Sequence, residues 1–235
     1  VQWHWLQDCF PQASQFNSIH ERLLEAFQSL RGQVQGSMQF AALAGFLEDY
    51  MTVSYLRHVA IQAGLETAYL SIEDIGWDAG RKVFTDLKEN PIRQCFKLYP
   101  WEWMFHDEFG PHLLLAGCHW FEPPWKAILS NKAILPILWE LYPGSPYLLE
   151  ARFDPLPGGN YVRKPILGRE GANIQVFEHG KLFFQTEGPY EGPSVYQQLC
   201  PLPRFQNRYF PCIGSWMVNG WACGMGIRED EQLVT

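Results

Sequence analysis

Gln39-Phe40-Ala41-Ala42-Leu43-Ala44, Glu48-Asp49 at the head of a periodic stretch, and Glu66 through Ile72 together decide how the first half folds. The first run is short and apolar, which suits a buried strand rather than a helix. Leu56, Val59, Ala60 and Ala63 then recur at helical spacing, and Gly64 is a natural stop. Glu66 to Ile72 reads as the next strand. A strand, a helix and a strand in that order predict a parallel pair in one sheet. A third strand is expected at Cys95 to Tyr99, just before Pro100.

Working outward towards the N-terminus, Ser18-Ile19-His20-Glu21 has the form of a capping box. Ile19, Leu23, Phe27 and Leu30 follow on one face, so a helix is predicted from Ser18 to Leu30, with Gly32 beyond it. Residues 1–118 therefore read as one small α/β domain.

Working outward towards the C-terminus, the texture changes. Asn131 can cap a helix from Lys132 to Leu141, which Pro143-Gly144 ends. Tyr161 to Pro165 is a short strand. Asn173 to Phe184 reads as a hairpin about His179-Gly180, and Ser194 to Leu199 as a further strand. Met217-Val218-Asn219-Gly220-Trp221 carries the Asn-Gly signal of a two-residue hairpin turn. Residues 119–235 read as a mainly antiparallel α+β domain.

The 235 residues are 47% hydrophobic, enough for a core without covalent staples, and the net charge is −7. With no basic stripe or Lys/Arg run, a nucleic-acid partner is not expected. Six scattered cysteines form no CxxC pair, which points to a reducing, cytoplasmic setting. No apolar run reaches the ~20 residues of a membrane span. The chain opens on Val1 and stops on Leu233-Val234-Thr235, so both ends read as cuts through a longer protein.

Four features of the second half could hold a nucleotide: Lys132, Lys164 ahead of Pro165, the Gly168–Gly171 turn, and Arg228. Lysines act as point charges on phosphates. A glycine-flanked loop lets backbone N–H groups approach phosphate oxygens. An arginine fork can stabilise a phosphoryl group in transfer. Each feature alone is an ordinary one: a solvated lysine, a turn, a surface ion pair. The tryptophans lie in or beside expected helices and strands, which favours core over a carbohydrate platform. His106, His112, His119 and Cys118 match no common metal spacing.

Literal wording goes further than spacing. Asn131-Lys132-Ala133-Ile134-Leu135-Pro136-Ile137-Leu138-Trp139 resembles the glutathionylspermidine synthase family. So do Lys164-Pro165-Ile166, Gly168-Arg169-Glu170-Gly171-Ala172-Asn173, Val195-Tyr196-Gln197-Gln198-Leu199 and Gly226-Ile227-Arg228-Glu229-Asp230. Phe96 through Met104 and Gly214-Ser215-Trp216 resemble its shorter branch, which lacks an amidase domain.

The resemblance implies an α+β fold: an ATP-grasp-like domain preceded by a small α/β, Rossmann-like, pre-ATP-grasp domain. It implies an ATP-dependent carboxylate–amine ligase that makes an amide through an acyl phosphate, with a small peptide carboxylate and an amine or polyamine as substrates. A non-catalytic nucleotide- or peptide-binding relative is the alternative. Carried over by motif, Lys132 and Lys164 would contact ATP. Arg169, Glu170 and Gly171 would lie in the loop that closes on its phosphates. Gln197, Gln198, Leu199 and Cys200 would form the adenine hinge, and Leu233 and Val234 would back the pocket. Arg228 would stabilise the transferring phosphoryl group, and Glu48 and Asp49 would meet the amine. The family's Mg2+ ligands lie on a segment N-terminal to this chain, so no metal ligand is named in it. Trp103 stands where spermidine-using members carry a smaller polar residue, and Cys212 falls near a nucleotide-contacting position. Neither the cysteine nor the histidine of an amidase has a counterpart.

Overall fold

A computed structural model describes residues 2–14 and 16–231. It divides into two compact units. The first gathers the described residues up to Tyr99 with Pro111–Phe121 and Ile213–Ile227. The second gathers Pro100–Gly110, Glu122–Cys212 and the described residues from Arg228 onward.

The first unit begins with helices α1 (Gln2–Cys9) and α2 (Ile19–Ser29). Strand β1 (Met38–Ala42), helix α3 (Leu47–Gln62) and strand β2 (Thr67–Ser71) follow. Strands β3 (Gly76–Asp78) and β4 (Val83–Thr85) form a small hairpin. Strands β5 (Gln94–Leu98) and β6 (His119–Phe121) complete a four-stranded parallel sheet in the order β2-β1-β5-β6. The expected strand–helix–strand unit is present, because α3 supplies the crossover that parallel strands require. Phe40 on β1 is fully buried and packs on Phe27 of α2 and Phe96 of β5. Val53, Val59, Ala60 and Ala63 of the α3 segment close the same core.

Gly64 ends α3 as the sequence requires. Its φ is +83°, and the N–H of Leu65 returns to the Ala60 carbonyl while that of Gly64 returns to Ile61. This is the Schellman arrangement, which favours a residue without Cβ. The capping box does not form. Ser18 sits at the head of α2, but its side chain makes no capping bond to the helix. Instead both Ser18 N–H and Oγ point to the Cys223 carbonyl, at 2.8 and 3.4 Å. A tertiary acceptor has replaced the local one.

The second unit begins with the one-turn helix α4 (Trp101–Met104). Helices α5 (Ala127–Ser130) and α6 (Ile134–Leu141) follow. Strands β7 (Ala151–Arg152), β8 (Tyr161–Pro165), β9 (Gln175–Glu178), β10 (Lys181–Gln185) and β11 (Ser194–Gln198) form one antiparallel sheet in the order β10-β9-β8-β11-β7. His179 and Gly180 turn β9 into β10 with φ of 50° and 76°. Strands β12 (Phe210–Val218) and β13 (Trp221–Asp230), most of whose residues belong to the first unit, pair about Asn219 and Gly220, whose φ values are 50° and 82°. Among the described residues, no helix is long and apolar enough to cross a membrane.

Candidate functional site

The register of β8 against β11 sorts the cations of the second sheet. Val195 lies opposite Lys164, and Gln197 lies opposite Val162, so Lys164 and Gln197 share one face. Lys164 Nζ donates to Gln197 Oε1 at 2.7 Å. Burial, together with the nearby charge of Lys132, holds the Lys164 pKa below its ordinary value. Arg163, one residue earlier, points to the opposite face, where it donates to Ser194 Oγ at 3.2 Å and Gln175 Oε1 at 3.1 Å. A polar cleft of about 320 Å³ opens there between Arg163, Asn173, Gln175, Thr186 and Tyr190. The lysines are not among its walls, and the cluster's chemistry is the better guide to function.

Lys132 lies between α5 and α6, where Asn131 Oδ1 accepts from the Ala133 N–H at 2.9 Å. Two bonds tie it to the segment after β8. Its N–H donates to the Ile166 carbonyl at 2.9 Å, and its Nζ donates to the Gly168 carbonyl. Burial and the Arg169 charge lower the Lys132 pKa, and the Glu102 carboxylate opposes them. Arg169 follows Gly168 directly and pairs through Nη2 with Glu102 of α4. The Trp103 ring lies 5.9 Å from the same guanidinium. Glu170 holds φ of +50° and Gly171 +68°. A non-glycine residue in that region is a local strain, which a folded protein retains at functional loops more often than elsewhere.

Lys132, Lys164, Arg169, Gly171 and Gln197 thus belong to one part of the second unit. Arg169 Nε is buried, with no hydrogen-bond partner among the described residues. Three cations, a glycine-bearing loop and an unused donor suit a polyanion such as a nucleotide's phosphates. Among the described residues, no group of three His, Cys, Asp or Glu side chains could hold a metal ion, so no Mg2+ ligand is assigned.

The other residues read from sequence are placed more loosely. Gln198 ends β11, with its N–H on the Glu150 carbonyl at 2.8 Å, and the Leu199 N–H reaches Asn160 at 3.3 Å. Cys200 is exposed. Arg228 is exposed on β13, donating to Cys212 Sγ at 3.8 Å. Glu48 is exposed and Asp49 half-buried in the first turn of α3, in the first unit. Leu233 and Val234 lie outside the described residues. Sequence reasoning missed Glu102. A carboxylate inside Trp101-Glu102-Trp103-Met104 was the available signal, since a buried acid needs a cation.

Residues 1–235 match the family described as glutathionylspermidine synthase preATP-grasp. The chain belongs to the glutathionylspermidine synthase family. It is 45% identical to a Haemophilus influenzae protein that carries the provisional name acid–amine ligase, over 100% of this chain and 63% of that protein. It is 32% identical to the bifunctional glutathionylspermidine synthetase/amidase of Escherichia coli, over 80% of this chain and 35% of the relative. It is 31% identical to trypanothione synthetase of Crithidia fasciculata, over 80% and 33%. The chain therefore spans from 29% to 63% of the length of these and the other curated relatives it matches. Family membership agrees with the mixed fold, which has a parallel sheet and antiparallel sheets, and with a pre-ATP-grasp domain.

Proposed function

We propose that the protein to which this chain belongs is an ATP-dependent carboxylate–amine ligase. The carboxylate of a small peptide takes the γ-phosphoryl group of ATP and ADP leaves. An amine or polyamine then attacks the acyl carbon, forming the amide and releasing phosphate. The observation that carries this reading is the convergence of Lys132, Lys164 and Arg169 at the end of β8, beside a loop with strained backbone at Glu170. The relatives' names support the reading: one is provisionally named an acid–amine ligase, and two are named as synthetases of glutathionylspermidine and trypanothione.

In this reading an ATP-grasp-like domain occupies residues 119–235 and a pre-ATP-grasp domain residues 1–118. Lys132 and Lys164 hold the phosphates, and the loop from Arg169 to Gly171 closes over them. Gln197 to Cys200 form the adenine hinge, with Leu233 and Val234 behind it. Arg228 stabilises the phosphoryl group in transfer, and Glu48 and Asp49 attract the cationic amine. The protein's part is placement and charge stabilisation, since acyl phosphates need no further activation for attack by an amine. Mg2+ would screen the phosphate charges when bound.

The test is calorimetric titration of the full-length protein with ATP and Mg2+, followed by phosphate release with glutathione and spermidine as probe substrates. Binding that Lys164→Ala abolishes, with release that requires both probes or close analogues, is the expected result. Binding without any turnover would favour a non-catalytic relative. Absence of ATP binding would end the ligase reading.

A further inference from the structure

Glu102 has no place in the ligase reading above, yet it contacts one of the three cations of the cluster. Its side chain is only 13% exposed, whereas that of Arg169 is 37% exposed. It sits on α4, a single turn whose Trp101 and Met104 are buried. That anchorage fixes where the carboxylate can reach.

The pair it makes is half complete. A carboxylate and a guanidinium frequently meet fork to fork, through two parallel N–H···O bonds. Here Arg169 Nη2 engages Glu102 Oε1 alone. The two atoms that would make the second bond, Glu102 Oε2 and Arg169 Nε, are each buried and lack a hydrogen-bond partner among the described residues. A buried charged group left partly unsatisfied is costly. Meanwhile Trp103 lies against the guanidinium, and Lys132 stands close enough to be influenced by both charges. Arg169 is therefore held in place with one donor unused, beside two further cations.

We propose that Glu102 is an anionic placeholder, holding Arg169 in the ligand-free protein where a phosphate oxyanion will need it and releasing part of that hold when the anion arrives. The proposal rests on the nucleotide reading of the site for the identity of the anion, but not for the exchange itself. Glu102 is a positioning residue: it touches Arg169, not substrate. Its negative charge lowers the intrinsic attraction of the cluster for phosphate, so the preset arginine comes with weaker binding and easier release of the spent nucleotide. A merely structural ion pair would make the opposite prediction, since its removal would weaken stability and binding together.

The experiment compares wild type with Glu102→Gln, which preserves shape. Both are full-length and are melted across rising sodium pyrophosphate, with ADP titrated in parallel. Expected results are a lower melting temperature for the variant without anion, a gap that closes as pyrophosphate rises, and ADP binding at least about 3-fold tighter in the variant, because one like charge beside the phosphates is gone. A gap that pyrophosphate does not change, no gap at all, or weaker ADP binding in the variant overturns the placeholder. If wild type binds ATP but the gap stays constant, the placeholder fails and the ligase reading stands. If the gap closes with pyrophosphate but wild type binds neither ATP nor ADP, the nucleotide reading fails and the placeholder stands.

Discussion

The two sheets put opposite uses on the same kind of strand. In β1 all five residues are buried, and what they bury is almost wholly apolar. In β8 only the end residues Tyr161 and Pro165 are buried, and the middle carries Arg163 and Lys164 on opposite faces. Parallel strands covered on both sides read as nearly continuous apolar runs. An antiparallel strand flanked by β9 and β11 can leave a face for chemistry. The difference teaches that the first sheet is where substitutions should cost stability, and the second is where they should cost binding with little loss of fold.

The largest effect expected from that contrast is on the first sheet. Phe40→Ala removes a fully buried ring stacked on Phe96 and packed against Phe27. It should lower unfolding free energy by about 3–5 kcal/mol, measured by denaturant titration. A loss below about 1 kcal/mol would show that the parallel sheet is not the stability core. Arg228→Ala should behave in reverse. Exposed on β13, it should leave stability within about 0.5 kcal/mol. It should slow ligation by the full-length protein about 10²–10³-fold, as lost transition-state donors do. Unchanged turnover would remove Arg228 from the proposed chemistry.

Lys164 allows the contrast to be read from pH. Its folded pKa lies below the ordinary 10.5, because burial and Lys132 disfavour its charge. Between the folded and unfolded values the unfolded chain binds more protons, so this residue's contribution makes stability rise as pH climbs through that window. ATP affinity should fall across the same window, since the phosphates need the ammonium. Lys164→Met should remove both trends and weaken ATP binding at least about 10-fold at neutral pH, while changing stability by less than about 1 kcal/mol. Calorimetry at several pH values checks the first effect and thermal melting the second. A variant that kept the pH trend in affinity would assign it to Lys132 instead.

Much of this architecture is legible in local sequence, and the gaps have a common cause. The sequence bounds of β8 match the structure because Pro165 closes it. The turns at His179-Gly180 and Asn219-Gly220 follow from positive φ, which few residue pairs accept readily. The β3–β4 hairpin is not legible, since strands of three residues carry no period to detect. Strand β6 is equally short and is defined by pairing with β5, not by its own pattern. In the candidate site, Lys132 and Lys164 can be named as candidates from the residues but stand out from ordinary lysines only through family wording, because a lysine's partners are not written beside it. Glu102 meets Arg169 from 67 positions away along the chain. Long-range pairing of that kind leaves no local trace beyond an acid in an aromatic run.

The capping box at Ser18 shows the same limit at its smallest scale, and it can be tested there. A serine that caps a helix is worth about 1 kcal/mol against alanine. Ser18 does not cap α2; its hydroxyl makes one long bond to the Cys223 carbonyl. Its neighbour Asn17 does more. Asn17 Nδ2 donates to the Met225 carbonyl at 3.0 Å, and its Oδ1 accepts from the Met225 N–H at 2.9 Å, so one amide satisfies both main-chain groups of a β13 residue. Gly224 makes room for this, because a Cβ there would meet Asn17 Oδ1 at 2.4 Å. Asn17→Ala should therefore cost about 1–2 kcal/mol, and Ser18→Ala less than about 0.5 kcal/mol, in parallel denaturant titrations. The reverse order would mean that the local capping signal prevails in solution. The predicted order would mean that the head of α2 is fixed by the hairpin strand, which is why the most familiar motif in this stretch points to the wrong residue.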